Sequence, residues 1–206
     1  MDWRPLLDLL FPPQCPSCNA LGKGLCFACV PTGNPIRVQL PSLRLTARGL
    51  YAESLRDAVL ALKDGRRDVA ESLGEIVAPL LEPGTLLVPV PTTARRRRIR
   101  GLDGVELVAR IAATITGAQV VKALEQRAGD AQRGRTRRGR LAARGRFTCG
   151  PAVGSRRVTL FDDVCTTGAT LQDCANAIRA AGGLVEDAVV VALTKSAHPW
   201  QNANSG

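Results

Sequence analysis

Aromatic side chains are scarce in this 206-residue chain, at 3% of residues, and there is a single histidine, His198. A ring-rich core is therefore excluded, and gripping single-stranded nucleic acid by base stacking is disfavoured. The apolar 45% must build its core mainly from Val, Leu, Ile and Ala. His198 lies in a C-terminal stretch read as a loose tail, so no evident histidine base is offered. Long apolar runs are missing too: none approaches the roughly 18 residues of a membrane-spanning helix, so no membrane insertion is expected. The start, Met1 to Phe11, carries a leucine cluster read as an N-terminal helix. Asp8 interrupts it and Pro12-Pro13 follow, which makes it too short and too acidic for a secretory signal. The expected location is cytoplasmic. Acid is in deficit as well, 18 Asp and Glu against 28 Lys and Arg.

What is present begins with cysteine. Cys15-Pro-Ser-Cys18 and Cys26-Phe-Ala-Cys29 form two Cys-x2-Cys pairs separated by seven residues. Two intervening residues aim both thiolates of a pair at one point, and Gly22 and Gly24 permit the reversal that brings the pairs together. Four thiolates define a closed, structural zinc site. Two disulfides, or free thiols, are the competing reading, and disulfides need an oxidising compartment. Cys149 and Cys174 read as small buried hydrophobes. Cys165 is a spacer in a turn, or a thiol whose pKa a helix N-terminus lowers.

The most informative stretch is Val158-Thr-Leu-Phe-Asp-Asp-Val-Cys-Thr-Thr-Gly-Ala-Thr170. A short apolar run suits a strand buried on both faces of a parallel sheet. Asp162 and Asp163 fall at its carboxyl end, where open α/β sheets place ligands, and two adjacent carboxylates can accept from both hydroxyls of a ribose. Thr166, Thr167, Gly168, Ala169 and Thr170 then offer hydroxyls and backbone N–H groups to a phosphate at a helix N-terminus. The segment closely resembles the signature of type I phosphoribosyltransferases. That resemblance implies binding of phosphoribosyl pyrophosphate (PRPP) with magnesium riding on the substrate. It makes Asp162 and Asp163 the candidate catalytic residues and the turn through Thr170 the 5-phosphate anchor.

The rest of the chain alternates helices with apolar strands: helices over 54–63 (capped by Ser54), 66–81, 102–115 and 169–181, and strands over 85–90, 120–124, 158–161 and 184–193. The alternation implies an α/β fold with a mostly parallel sheet. Residues 1–40 are expected to form the N-terminal helix and zinc-ribbon-like module, with 31–41 a connector. Residues 41–196 are expected to form the phosphoribosyltransferase-like domain and 197–206 a flexible tail. Pro91, Thr92, Thr93 and Arg95 leave the end of an earlier strand, as a second phosphate loop should. With Arg95 to Arg98 and Arg100, five guanidiniums stand beside it, a good match to pyrophosphate. The segment from Arg127 to Arg146 adds eight arginines with only Asp130 opposing them. Its position matches the mobile hood that closes over PRPP in that superfamily, and the two basic segments together make a local positive field for a polyphosphate or a nucleic acid.

Together with Tyr51, Leu55-Arg56, Leu62-Lys63, Val88-Pro89-Val90-Pro91, Arg100-Gly101, Gln132, Arg140 and Phe147, these motifs resemble the ComF family of competence proteins from Phe11 to about Lys195. The resemblance implies a link to natural transformation or use of external DNA, with single-stranded DNA and helicase partners. The chain departs from that family's pattern at Leu102-Asp103, where an aromatic and Asn are usual, at Ala143, where Asn is usual, and at Asp64, where an aromatic is usual. Thr166 stands where relatives acting on 6-oxopurines carry an acid, which counts against such an acceptor. Two functions stay open on sequence grounds: a transferase acting on Mg-PRPP, and a non-catalytic sensing or DNA-binding module on the same fold. Homo-oligomerisation is open as well.

Overall fold

The computed structural model describes residues 12–91, 103–127 and 145–195. Among these residues a six-stranded sheet forms the centre, in the order β1-β2-β8-β7-β3-β4. Its strands are β1 (Ile36–Leu40), β2 (Leu43–Leu50), β3 (Leu86–Pro89), β4 (Gln119–Val120), β7 (Arg157–Cys165) and β8 (Leu184–Leu193). Only the β1–β2 hairpin is antiparallel; every other pairing is parallel. A separate two-stranded ribbon joins β5 (Leu124–Gln126) to β6 (Phe147–Cys149).

The central strands are apolar on both faces because both faces are covered, the expected pattern for a parallel sheet. In β7, Val158 and Leu160 point to one core while Phe161 points to the other. In β8, Ala188 and Val190 alternate in the same way with Val189 and Val191. One core lies beneath α1 (Glu53–Lys63), α2 (Arg67–Val77) and α3 (Gly104–Thr116). The other is closed by α4 (Ala169–Ala180) and the β5–β6 ribbon, through Leu171, Ile178, Leu124 and Phe147. The α/β fold with a mostly parallel sheet is therefore the one expected.

Local details differ from the sequence-based expectation. The supposed connector 31–41 contains β1, whose alternating burial seats Val38 and Leu40 in the core. Ser54 does not cap α1; Ala52 occupies the N-cap position with no side-chain bond. The helix expected over 66–81 is α2 followed by a 3-10 turn, Ala78–Leu80, where Pro79 enters. The strand expected over 120–124 is split into β4 and β5. The signature strand runs four residues beyond Phe161, because Asp162, Val164 and Cys165 continue the ladder with Val190, Ala192 and Leu193. Thr92, Thr93, Arg95 to Arg98, Arg100, Gln132, Arg140, Met1 to Phe11 and His198 lie outside the described residues.

Candidate functional site

The cysteine module docks on the helical face. Cys15 and Leu25 are buried in the same core as α1 and α2. The Leu25 N–H donates to Ser72 Oγ on α2 at 3.0 Å, and Arg66 bridges the Gln14 carbonyl to Asp68. Gly24 owes its identity to this docking rather than to chain reversal: a Cβ there would sit 2.2 Å from the backbone carbon of Asp68. The Sγ atoms of Cys15, Cys18, Cys26 and Cys29 all lie within 4.8 Å of one another. Cys18 and Cys26 sulfurs are 3.4 Å apart, far beyond a disulfide bond of about 2.05 Å, and all seven cysteines are free thiols. A tetrahedral zinc with bonds of about 2.3 Å spaces its sulfurs by about 3.8 Å, so the cluster fits that ion. Burial raises the Cys15 thiol, but N–H groups of Cys26, Cys18 and Ser17 outweigh it and hold it down at about 6. That favours a thiolate, the form a metal needs. Burial and the neighbouring thiols push Cys29 up to about 12, a proton that a metal would have to displace.

The second site lies across the carboxyl ends of β3, β7 and β8. It is a cleft of about 480 Å³. Asp162, Asp163, Thr166, Thr170, Val90 and Pro91 are among the residues that line it. Asp162 Oδ1 accepts from the Asp163 N–H at 2.8 Å, and Asp163 Oδ1 from the Val164 N–H at 2.7 Å. These bonds fix both carboxyls while leaving lone pairs for a ligand. Burial first, and the Asp163 charge next, hold the Asp162 carboxyl well above the ordinary carboxylate range, against the pull of Lys63.

The turn after β7 leads directly into α4. Gly168 adopts φ +77°, a conformation that favours glycine, and a Cβ there would press on the terminal methyls of Leu40, 2.9 Å away at Cδ1. Ala169 begins α4 directly after it, so the first-turn N–H groups point into the turn. The Thr167 hydroxyl accepts from the Ala169 N–H at 3.4 Å. Thr194, at the end of β8, ties the turn down: its N–H donates to the Cys165 carbonyl at 3.0 Å and its hydroxyl to the Thr166 carbonyl at 3.3 Å. The thiol of Cys165 is not activated by the helix end. It is buried, and burial pushes it up to about 11, so the spacer reading holds.

Several cleft residues escaped the candidate list. Lys63, the last residue of α1, places Nζ 3.4 Å from Asp163 Oδ2. Tyr51, Gln126, Arg146, Phe147 and the start of α3 at Gly104 complete the walls. Asp103, the departure that put a carboxylate near the supposed pyrophosphate loop, caps α3: its Oδ1 accepts from the Glu106 N–H at 3.4 Å, a normal N-cap role. Of the pyrophosphate candidates, Pro91 lines the cleft, while Thr92, Thr93, Arg95 and Arg100 fall outside the described residues.

Fold and cleft together define an α/β chain with a cleft at the carboxyl edge of a mostly parallel sheet, lined by paired acids and by the turn that opens a helix. No known family model matches the chain. It is 53% identical over 47 residues to an orotate phosphoribosyltransferase of Nocardioides sp., covering 23% of this chain and 26% of that protein. Against an orotate phosphoribosyltransferase of Pyrobaculum islandicum it is 50% identical over 46 residues, 22% of this chain and 24% of that one. The chain thus matches about a quarter of the length of these relatives. Among solved structures, adenine phosphoribosyltransferase from Thermoanaerobacter pseudethanolicus aligns over 84% of this chain and 89% of its own, at 12% identity and a TM-score of 0.44. The sequence similarity is to phosphoribosyltransferases, and it is segmental.

Proposed function

We propose that this protein binds PRPP with magnesium and transfers, or senses, its phosphoribosyl group. The observation that carries the reading is the convergence, in one 480 Å³ cleft, of Asp162 and Asp163 with the turn from Thr166 to Thr170. The spacing of the two groups along β7 and into α4 suits a ribose with its 5-phosphate. The local identity to two orotate phosphoribosyltransferases supports it.

In this reading the acid pair accepts from the ribose hydroxyls and the turn donates to the 5-phosphate, its hydroxyls and N–H groups held in place before the ligand arrives. Pro91 and the residues after it, through Arg95 and Arg100, take the pyrophosphate. Magnesium remains on the substrate, whose phosphates supply its hard oxygen ligands. Chemistry at the anomeric carbon then depends on positioning and charge stabilisation. The cysteine quartet holds a structural zinc with no open position, remote from the reaction.

The narrower placement rests on motif resemblance: a four-cysteine module ahead of the ribose-phosphate signature points to a ComF-type, cytoplasmic protein engaged in use of external DNA. Its division would be a zinc module over residues 1–40, a transferase domain over 41–196 and a tail over 197–206. Single-stranded DNA and a helicase would be its macromolecular partners.

The test is calorimetric titration with Mg-PRPP, alongside pyrophosphate release over a panel of nucleobases and amines. Wild type should bind in the micromolar range, and Asp162→Asn with Asp163→Asn should weaken binding by about 100-fold or more, the loss expected when two charge-assisted hydrogen-bond acceptors are removed. Heat-silent titration of the wild type would overturn the reading. Binding without turnover on any acceptor would favour the sensing form.

A further inference from the structure

Arg146 is the residue of the cleft that neither the acid pair nor the phosphate turn accounts for. It sits just before β6, on the ribbon that faces α4, and lines the cleft beside Thr166 and Thr170. Three contacts fix its guanidinium. Nε donates to Asp173 Oδ2 at 2.5 Å, Nη2 donates to Thr170 Oγ1 at 3.5 Å, and the group stands 5.8 Å from the centroid of the Phe147 ring. Phe147 is itself buried, 5% exposed. A planar cation held at one edge by a carboxylate and on one face by an aromatic ring has little rotamer freedom left to lose on binding. Its backbone is held as well, since the Arg146 carbonyl accepts from the Arg127 N–H at 3.1 Å.

The placement is informative because of what Thr170 is. Its hydroxyl belongs to the turn that would hold the 5-phosphate, so a guanidinium nitrogen within 3.5 Å of that hydroxyl is within reach of an oxyanion seated there. Asp173 engages Nε, and Nη2 reaches the Thr170 hydroxyl. Nη2 thereby lies at the Thr170 end of the cleft, and a planar guanidinium fork can meet two phosphate oxygens at once. Asp173, three residues along α4 from Thr170, acts through Arg146 as a positioning residue.

Resting on the PRPP reading above, we propose that Arg146 is an additional ligand for the 5-phosphate dianion, supplied by the β5–β6 ribbon and oriented by Asp173. The site thus closes on the phosphate from both sides of the cleft, with backbone N–H groups and threonine hydroxyls on one side and a side-chain cation on the other. It follows that Arg146 discriminates for a phosphorylated pentose and leaves an unphosphorylated one almost unaffected.

The test uses full-length protein and ribose 5-phosphate, with ribose and PRPP as companions, by calorimetry at two salt concentrations. Arg146→Gln should weaken ribose 5-phosphate and PRPP by about 10- to 100-fold, the range of one lost charge-assisted contact. Its affinity for ribose should be unchanged and its salt dependence shallower. Arg146→Lys should restore little of the loss, because an ammonium cannot form the fork. Asp173→Asn should give a loss of about 2- to 5-fold through misorientation, the charge of Arg146 being intact. The half-exposed side chain at position 146 makes loss of folding an unlikely confounder, and thermal melts of each variant check it. Wild-type-like affinity in Arg146→Gln, with loss in the Asp162 and Asp163 double variant, would overturn this inference alone. Failure of wild type to bind ribose 5-phosphate would overturn it together with the PRPP reading.

Discussion

The two sites of this molecule are built in opposite ways. The cysteine quartet draws all four ligands from fifteen consecutive residues, Cys15 to Cys29. Its geometry is local, and its surroundings only dock it. The cleft gathers Tyr51, Lys63, Pro91, Arg146, Asp162 and Thr194 from across the whole fold. Its geometry exists only once the sheet is assembled. The first is a compact quartet that could hold one ion; the second is an open cleft lined by polar groups. A local site costs little chain entropy to form but specifies little beyond itself. A dispersed one requires the fold to be complete and reports on any error in it.

Metal removal is the sharpest way to break this comparison. Cys15→Ser, or a strong chelator, should release stoichiometric zinc, read by elemental analysis. It should also lower Tm by about 10 °C or more, because Cys15 and Leu25 share the core of α1 and α2; that corresponds to roughly 3–5 kcal/mol at about 2–4 °C per kcal/mol for a chain of this size. A melt unchanged by zinc loss would show that the module is an ornament on a self-sufficient domain.

A smaller effect is expected at the phosphate turn. Gly168→Ala must hold alanine at φ +77° and press its Cβ on Leu40, at a cost of about 1–3 kcal/mol, and should weaken ribose 5-phosphate binding by about tenfold or more. Adding Leu40→Ala relieves the contact and leaves the dihedral strain, so only part of the affinity should return. Full recovery would mean that the turn's conformation is freer than its geometry indicates.

The smallest effect sharpens the comparison from the side of stability. The Asp162 carboxyl is raised in the folded state, chiefly by burial. The native state therefore binds this proton more tightly than the unfolded chain, whose carboxyl titrates near about 3.9. Its contribution to stability is full below that value and is lost as pH rises through the folded-state pKa. Asp162→Asn keeps the acceptor for the Asp163 N–H and removes the ionisation. It should raise Tm by about 2–4 °C at pH 8 and not at pH 4, while weakening PRPP binding by less than the double variant does. Equal shifts at both pH values would assign the gain to something other than this carboxyl.

What could be read from the sequence follows the same division. The cysteine pairs and the passage from β7 into α4 are continuous in the chain, so their residue order and spacing were enough. Lys63 was visible at a helix end and in the Leu62-Lys63 motif, but not its pairing, because its partner Asp163 is a hundred residues away. The β5–β6 ribbon pairs strands on either side of the arginine-rich segment, so no local turn announces it. The β1–β2 hairpin did carry a signal, the alternation in Ile36-Arg-Val-Gln-Leu40, but Pro35 and Pro41 on its flanks disguised a strand as a tether. The extension of β7 through the two acids was hidden because apolar periodicity ends at Phe161, whereas hydrogen bonding to β8 does not.

The contact between Leu40 and the turn has a consequence for how this protein can be re-engineered or can diverge. Leu40, at the tip of the edge hairpin, faces Gly168 in the turn after β7, its Cδ1 2.9 Å from where a Cβ at position 168 would stand. Deleting or splicing the stretch between the cysteines and α1, which looks like inert tubing, would alter the packing around a turn 128 positions downstream.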